Sequence, residues 1–176
     1  KSEFENMLIT VCNDKPSKGS RDFYTLSKLF QNNKKMLFVH LGSRSIVVPT
    51  FINQNLLLVP HMDQNIPLWL ESASLSILLS TYAEGLAQVI PQSIAMGTPV
   101  VCFENSGISD SVINDFNGVV MSNKTSLQEI YEILMNLLLH DNLIKFRRNT
   151  LLISPVISKR HSIVNFTNKL TKIYFG

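Results

Sequence analysis

An acidic residue followed by glycine, Glu84-Gly85, stands between two apolar stretches of the chain. Glycine at such a turn lets the backbone come close to a ligand with no Cβ in the way. Amides opening the helix that follows have no intrahelical partners and meet an anion with the positive end of the helix dipole. Phosphate is the usual guest of that arrangement. The Glu84 carboxylate would repel a phosphate in direct contact, so it must face another group, and sugar hydroxyls suit it best. Phosphate at one end and a polyol at the other describe a nucleotide sugar.

The elements around the pair support this reading. Residues 75–79 (LSILL) form an apolar run suited to a buried strand, and residues 99–103 (PVVCF) form another. Between them the pattern predicts a helix of roughly a dozen residues ending at Gly97. This is a βαβ unit, and open parallel sheets place their ligands at the carboxyl ends of such strands. Upstream, residues 7–12, 36–41 and 56–59 read as three more strands. Helices are expected at Phe23, Leu26, Leu29 and Phe30, and at Ile66, Leu68, Trp69 and Leu70. Downstream, a short helix should begin at Gly107, and the last strand should hold Val119, Val120 and Met121. Ser126-Leu127-Gln128-Glu129 is a capping box. It opens an amphipathic helix marked by Leu127, Ile130, Tyr131, Leu134, Leu137 and Leu138. A terminal helix is expected from Ile163, Val164, Phe166, Leu170, Ile173 and Tyr174. The alternation predicts an α/β fold with a Rossmann-like, mostly parallel sheet flanked by helices.

Several motifs in order resemble one family, the retaining glycosyltransferases of the GT-B fold (glycosyltransferases group 1, family four). Thr81, Glu84-Gly85-Leu86 and then Ala95-Met96-Gly97-Thr98-Pro99-Val100-Val101 are similar to its donor-site signature. Ser106-Gly107-Ile108-Ser109-Asp110-Ser111-Val112 and Asn117-Gly118-Val119-Val120 are similar to its later elements. Lys18-Gly19 resembles the end of its Gly-Arg-x-x-x-x-Lys-Gly loop. Three positions depart from the pattern: Gln92 where the family has a second Glu, Ala87 where Gly or Pro is common, and Asn13 at the place of the Arg. Pro60-His61-Met62 resembles the loop that contacts the nucleotide base.

The resemblance implies the carboxyl-terminal half of a GT-B fold, a single nucleotide-sugar-binding domain over residues 1–176, transferring sugar with retention and without metal. Glu84 and Lys18 would be catalytic, Lys18 neutralising the diphosphate and Glu84 orienting the sugar. Asn13, Gly19 and His61 would join the donor site. Gly85, Leu86 and Ala87 would offer backbone amides to the phosphate, and Gln92 would meet the ribose. The expected partners are a nucleotide sugar and an amino-terminal acceptor domain preceding Lys1, in keeping with the lack of an initiator Met. Arg44, in the turn after the second upstream strand, is an alternative source of the charge that Asn13 lacks, against the plainer reading of a surface arginine.

Composition narrows the remaining classes. The 176 residues suit one domain with a substantial core. A net charge of +3 is too mild to argue for nucleic acid or a membrane surface. Lys145, Arg147, Arg148, Lys159 and Arg160 read as a solvated helix face, with anionic lipid at the inner face of the membrane as the alternative. Cys12 and Cys102 are expected as buried, reduced strand thiols, in keeping with a cytoplasmic protein. The four histidines are scattered and no Cys/His spacing suggests a metal site, so no cofactor is expected. No Gly-x-Ser-x-Gly elbow or GxxxxGK[ST] loop occurs. Gln92 removes the natural partner of Glu84 for two-carboxylate hydrolysis. The rival reading is a non-catalytic GT-B-like binding or assembly module, favoured by Asn13 and Gln92. A sugar epimerase half-domain of similar fold lacks support from Glu84-Gly85.

Overall fold

Short apolar runs that carry no clean polar alternation belong to strands buried on both faces. The computed structural model, which describes residues 4–60, 65–82, 87–105 and 111–162, turns each predicted run into such a strand. They are β1 (Asn6–Val11), β2 (Met36–Ser43), β4 (Leu56–Pro60), β5 (Leu75–Leu78), β6 (Val100–Phe103) and β7 (Gly118–Met121), with β3 (Thr50–Asn53) added. The helices are α1 (Ser20–Leu29), α2 (Ile66–Ser72), α3 (Val89–Ala95), α4 (Leu127–Leu137) and α5 (His140–Arg160). A 3-10 turn, Pro16–Lys18, precedes α1.

The seven strands form one sheet in the order β3-β4-β2-β1-β5-β6-β7. All neighbours are parallel except β3, which runs antiparallel to β4. Side-chain alternation sorts the core into two layers. Leu8, Phe38, Ile77 and Val101 pack with Phe23 and Leu26 of α1 and Ile130 and Leu134 of α4. Ile9, Val39, Leu78 and Cys102 pack with Leu70 of α2, Ile90 and Ile94 of α3 and Ile157 of α5. The expected Rossmann-like, mostly parallel sheet between helical layers is what forms.

Some details differ from the sequence reading. Strand β3 was not anticipated. It is an edge strand whose Phe51 and Ile52 are both 55% exposed, so no burial alternation marks it. Helix α3 is seven residues long rather than about a dozen, starting at Val89. Its end is where expected: Gly97, at φ +75°, takes the left-handed conformation that stops a helix after the cap. The basic region lies on α5, but Arg147 is not merely solvated. Its guanidinium donates to the Ala73 carbonyl at 2.6 Å and the Glu71 carbonyl at 3.3 Å, satisfying the carboxyl end of α2.

The capping box forms as read: the Glu129 amide donates to Ser126 Oγ at 3.3 Å and the Ser126 amide to Glu129 Oε2 at 2.7 Å. The Ser126 hydroxyl also donates to Oε2 at 2.7 Å, and this bond with that from the Ser126 amide holds the Glu129 carboxyl below its ordinary range. Trp69 is half-buried against the second core layer, as a core residue. Cys102 is buried in β6, and burial pushes its thiol up to about 12. Cys12 falls one residue past β1 and is only half-buried, and neither thiol is in a disulfide. The predicted terminal helix lies outside the described residues. So does the predicted helix at Gly107, apart from Ser111 and Val112. Among the described residues, no helix is long and apolar enough to cross a membrane.

The loop after β1 is fastened to the end of β5. The Ser17 carbonyl accepts the Thr81 amide at 3.0 Å and the Tyr82 amide at 3.3 Å, and Ser80 Oγ donates to it at 3.2 Å. Two residues on, Gly19 sits at φ +81°, and any Cβ there would collide with the Leu79 main chain. Left-handed backbone and an overlap with main chain penalise every other residue type. Gly19→Ala should therefore destabilise the protein by about 2–4 kcal/mol in a denaturant titration. A loss below about 0.5 kcal/mol would show that the loop moves aside freely.

Candidate functional site

Chain order fixes where this sheet can hold a ligand. From β1 the chain steps to β2 and β4 on one side, then returns to place β5, β6 and β7 on the other. The reversal opens a crevice between the carboxyl ends of β1 and β5, where open α/β sheets bind their ligands. A cleft of about 270 Å³ lies there, lined by Val11, Cys12, Asn13, Lys18, Leu78, Ala87, Gln88, Val89 and Gln92. A second cleft of about 240 Å³ shares Val11, Cys12 and Asn13 and continues past Leu41, Gly42 and Arg44 to Pro60 and Ile66. The segment after β1 is thus the common wall of two adjoining clefts.

The fold brings together four residues singled out from the sequence: Asn13, Lys18, Ala87 and Gln92 all line the first cleft. Lys18 ends the 3-10 turn, and its ammonium lies 4.8 Å from the centre of the Tyr82 ring. Such a cation–π contact, worth about 0.5–1 kcal/mol at exposed sites, restrains the chain without neutralising its charge. Gln92 is exposed on α3, and its side chain is open to a ligand in the cleft. Ala87 is buried just ahead of the helix, and its carbonyl accepts the Ile90 amide at 3.0 Å.

Asn13 has a local task as well. Its Oδ1 accepts the Lys15 amide at 3.1 Å, the turn that short amide side chains favour. Gly19 is buried against Leu79 and is not in the cleft lining, so packing accounts for this glycine. Arg44 lines the second cleft rather than the first. His61, Glu84, Gly85 and Leu86 lie outside the described residues. Among the described residues, no group of three or more His, Cys, Asp or Glu side chains could hold a metal ion.

Beneath the common wall is a polar cluster that the sequence did not reveal. His40, fully buried in β2, donates from Nε2 to the Cys12 carbonyl at 2.9 Å and accepts at Nδ1 from the Tyr24 hydroxyl at 2.5 Å. Burial, the largest effect, pushes the His40 pKa down. Burial, then the nearby Asp14 and Cys12, push the Tyr24 pKa up. Asp14 Oδ2 accepts the Arg44 amide at 2.7 Å and Ser43 Oγ at 3.3 Å, tying the first loop to the end of β2. One signal was available in advance: a histidine inside the apolar run MLFVHL must find partners for both ring nitrogens once buried.

This architecture is shared with solved glycosyltransferases. HepE of Anabaena in complex with UDP-glucose superposes with a TM-score of 0.77 at 17% identity, over 96% of this chain and 48% of that one. TarM of S. aureus, in a complex that includes UDP, gives 0.79 at 17% identity over 100% and 37%. A glycosyltransferase from Rickettsia africae gives 0.78 at 15% identity over 99% and 48%. The chain therefore spans about half or less of the length of these proteins. Identities this low speak for the fold alone. No curated protein sequence matches the chain. The model of one family, "Glycosyl transferases group 1", matches residues 5–150, and the chain belongs to that family.

Proposed function

We propose that the chain is the donor-binding half of a retaining, metal-independent glycosyltransferase, which moves a sugar from a nucleoside diphosphate to an acceptor hydroxyl. The observation that carries this reading is the gathering of Lys18, Gln92, Ala87 and Asn13 in one cleft at the switch point of the sheet. UDP and UDP-glucose bound to HepE make a nucleotide sugar a suitable occupant. As the glycosidic bond breaks, negative charge grows on the departing diphosphate, and a preset cation at that end lowers the barrier. Lys18 supplies it. Backbone amides of Gly85, Leu86 and Ala87 meet the phosphate, Glu84 holds the sugar by its hydroxyls, His61 lies against the base and Gln92 meets the ribose. The acceptor belongs to an amino-terminal domain that forms the other wall.

A lysine–phosphate contact is charge-assisted and worth about 1.5–3 kcal/mol. Lys18→Ala should weaken UDP, GDP or ADP binding by that amount in titration calorimetry, with the fold intact. Equal affinities would remove Lys18 from the site. Gln92→Glu should tighten binding by up to about 1 kcal/mol, because a carboxylate accepts stronger hydrogen bonds from a ribose than an amide does. Unchanged affinity for every nucleotide tested would remove Gln92 from the ribose.

The isolated chain should bind nucleoside diphosphate weakly and transfer no sugar, since near-attack geometry needs both walls of the cleft. Joined to its amino-terminal domain it should transfer sugar in the presence of a chelator. Glu84→Ala should then remove most of that rate and leave nucleotide binding largely intact. A joined protein that transfers sugar equally well with Glu84→Ala would refute the role given to Glu84. One that binds nucleotide yet transfers nothing across a panel of nucleotide sugars would establish the non-catalytic module instead.

A further inference from the structure

His40 sits where a parallel sheet ordinarily takes an apolar residue, between Val39 and Leu41 in a fully buried stretch of β2. An imidazole there costs stability unless both nitrogens are satisfied. The geometry settles which nitrogen carries the proton. The Cys12 carbonyl, 2.9 Å from Nε2, can only accept, so Nε2 is the protonated nitrogen. In a neutral ring Nδ1 is then an acceptor, and the Tyr24 hydroxyl at 2.5 Å is its donor. Sγ of Cys12 lies 3.5 Å from the same Nε2, so the ring rests against both the main chain and the side chain of that residue.

The group that His40 holds is placed to matter. Cys12 and the Asn13 that follows it are the wall shared by the two clefts. The next residue, Asp14, secures the end of β2 through the Arg44 amide and Ser43 Oγ. Gly42 adds a constraint of its own: at φ +104°, a Cβ there would strike the Cys12 carbonyl oxygen. The Cys12 peptide is thus pressed between Gly42 and the imidazole, with its amide bonded to the Leu41 carbonyl at 3.0 Å.

We propose that His40 is a positioning residue of the donor site: through Nε2–H it fixes the Cys12 carbonyl, and with it the wall between the two clefts, while Tyr24 fixes the tautomer that makes this possible. The inference rests on the donor-site reading given above. A histidine serving only to fill the core would be replaceable by any side chain of similar volume. A positioning histidine is replaceable only by one that still donates at the same place. Gln meets that condition, since its Nε2 reaches about as far as that of imidazole, and Leu does not.

The test compares His40→Leu, His40→Gln and Tyr24→Phe with the wild type. UDP binding is read by titration calorimetry, and backbone exchange at the Cys12 and Lys15 amides and the imidazole nitrogens of His40 are read by NMR. His40→Leu should weaken UDP binding by about tenfold and speed exchange at Cys12 and Lys15, and His40→Gln should restore affinity to within about threefold. Tyr24→Phe should shift the His40 nitrogen resonances towards the Nδ1–H tautomer, because the donor to Nδ1 is gone and the Asp14 carboxylate, 3.9 Å from that nitrogen, then favours a proton there. A folded His40→Leu protein with wild-type affinity and wild-type exchange would overturn the proposal, as would a His40→Gln protein no better than His40→Leu. Should His40→Leu fail to fold, the decision passes to Tyr24→Phe, where unaltered nitrogen resonances and unaltered UDP affinity would overturn it. A wild type that binds no nucleoside diphosphate would defeat the donor-site reading, and amide exchange in His40→Leu against His40→Gln would still decide whether His40 holds the wall.

Discussion

The carboxyl edge of this sheet depends on one close approach, the main chain at Gly19 against the main chain at Leu79. A parallel sheet holds its strands about 4.8 Å apart but leaves the loops beyond them free to diverge. Here they do not diverge, because the Ser17 carbonyl takes the amides of Thr81 and Tyr82. Removing Cβ at Gly19 lets those bonds close. A second approach of the same kind brings Gly42 against the Cys12 carbonyl on the other side of β1. The loop after β1 is therefore clamped from both neighbouring strands, and the two clefts open beside a wall of fixed position.

That clamping decides the electrostatics of the site. The whole chain carries a net charge of only +3, so no broad field draws an anion in. What counts is a local cation, and the acid of the same loop is turned elsewhere: Asp14 is engaged by the Arg44 amide and Ser43. Lys18 stands on the cleft side of the same loop, steadied over Tyr82. Lys18 is half-buried as a residue, and charges at a protein surface interact through a lower effective dielectric than in bulk water. The loop thus turns Asp14 to the scaffold and Lys18 to the cleft.

The sequence displayed the sheet well, because buried parallel strands are short apolar runs with little ambiguity. It hid β3, whose Thr50, Phe51 and Ile52 lie at an exposed edge without alternation. It overstated α3, because the motif extends several residues ahead of the first helical turn at Val89. Lys18 and Gln92 could be picked out by their resemblance to the family's motifs, and the fold brings them to one cleft. His40, Tyr24 and Asp14 could not be read that way. They are 16, 10 and 26 residues apart in their three pairings, and only strand register, with Thr10 opposite His40, brings the first loop over the imidazole. Buried polar partnerships of this kind depend on tertiary geometry, which no local pattern carries.

The two departures from the family pattern that could silence the site are not equivalent. Asn13 has been absorbed by the loop: its oxygen holds the Lys15 amide, which sets the approach to the Pro16–Lys18 turn and so to Lys18. A long cation at that position could not make the same turn bond, since arginine has no acceptor. The charge absent there is offset by a more tightly shaped loop that carries Lys18. Among the described residues no side-chain bond ties Gln92 to the scaffold; it is exposed at the cleft, on a helix held by the core contacts of Ile90 and Ile94. Its side chain is therefore left to the cleft rather than to the scaffold. An amide in place of a carboxylate still bonds hydroxyls, more weakly, and adds a donor that an acidic residue lacks. The cleft therefore departs from the family pattern in two different ways, by a fixed loop at one end and by a changed hydrogen-bonding group at the other. Neither change fills the cleft or brings a negative charge into it.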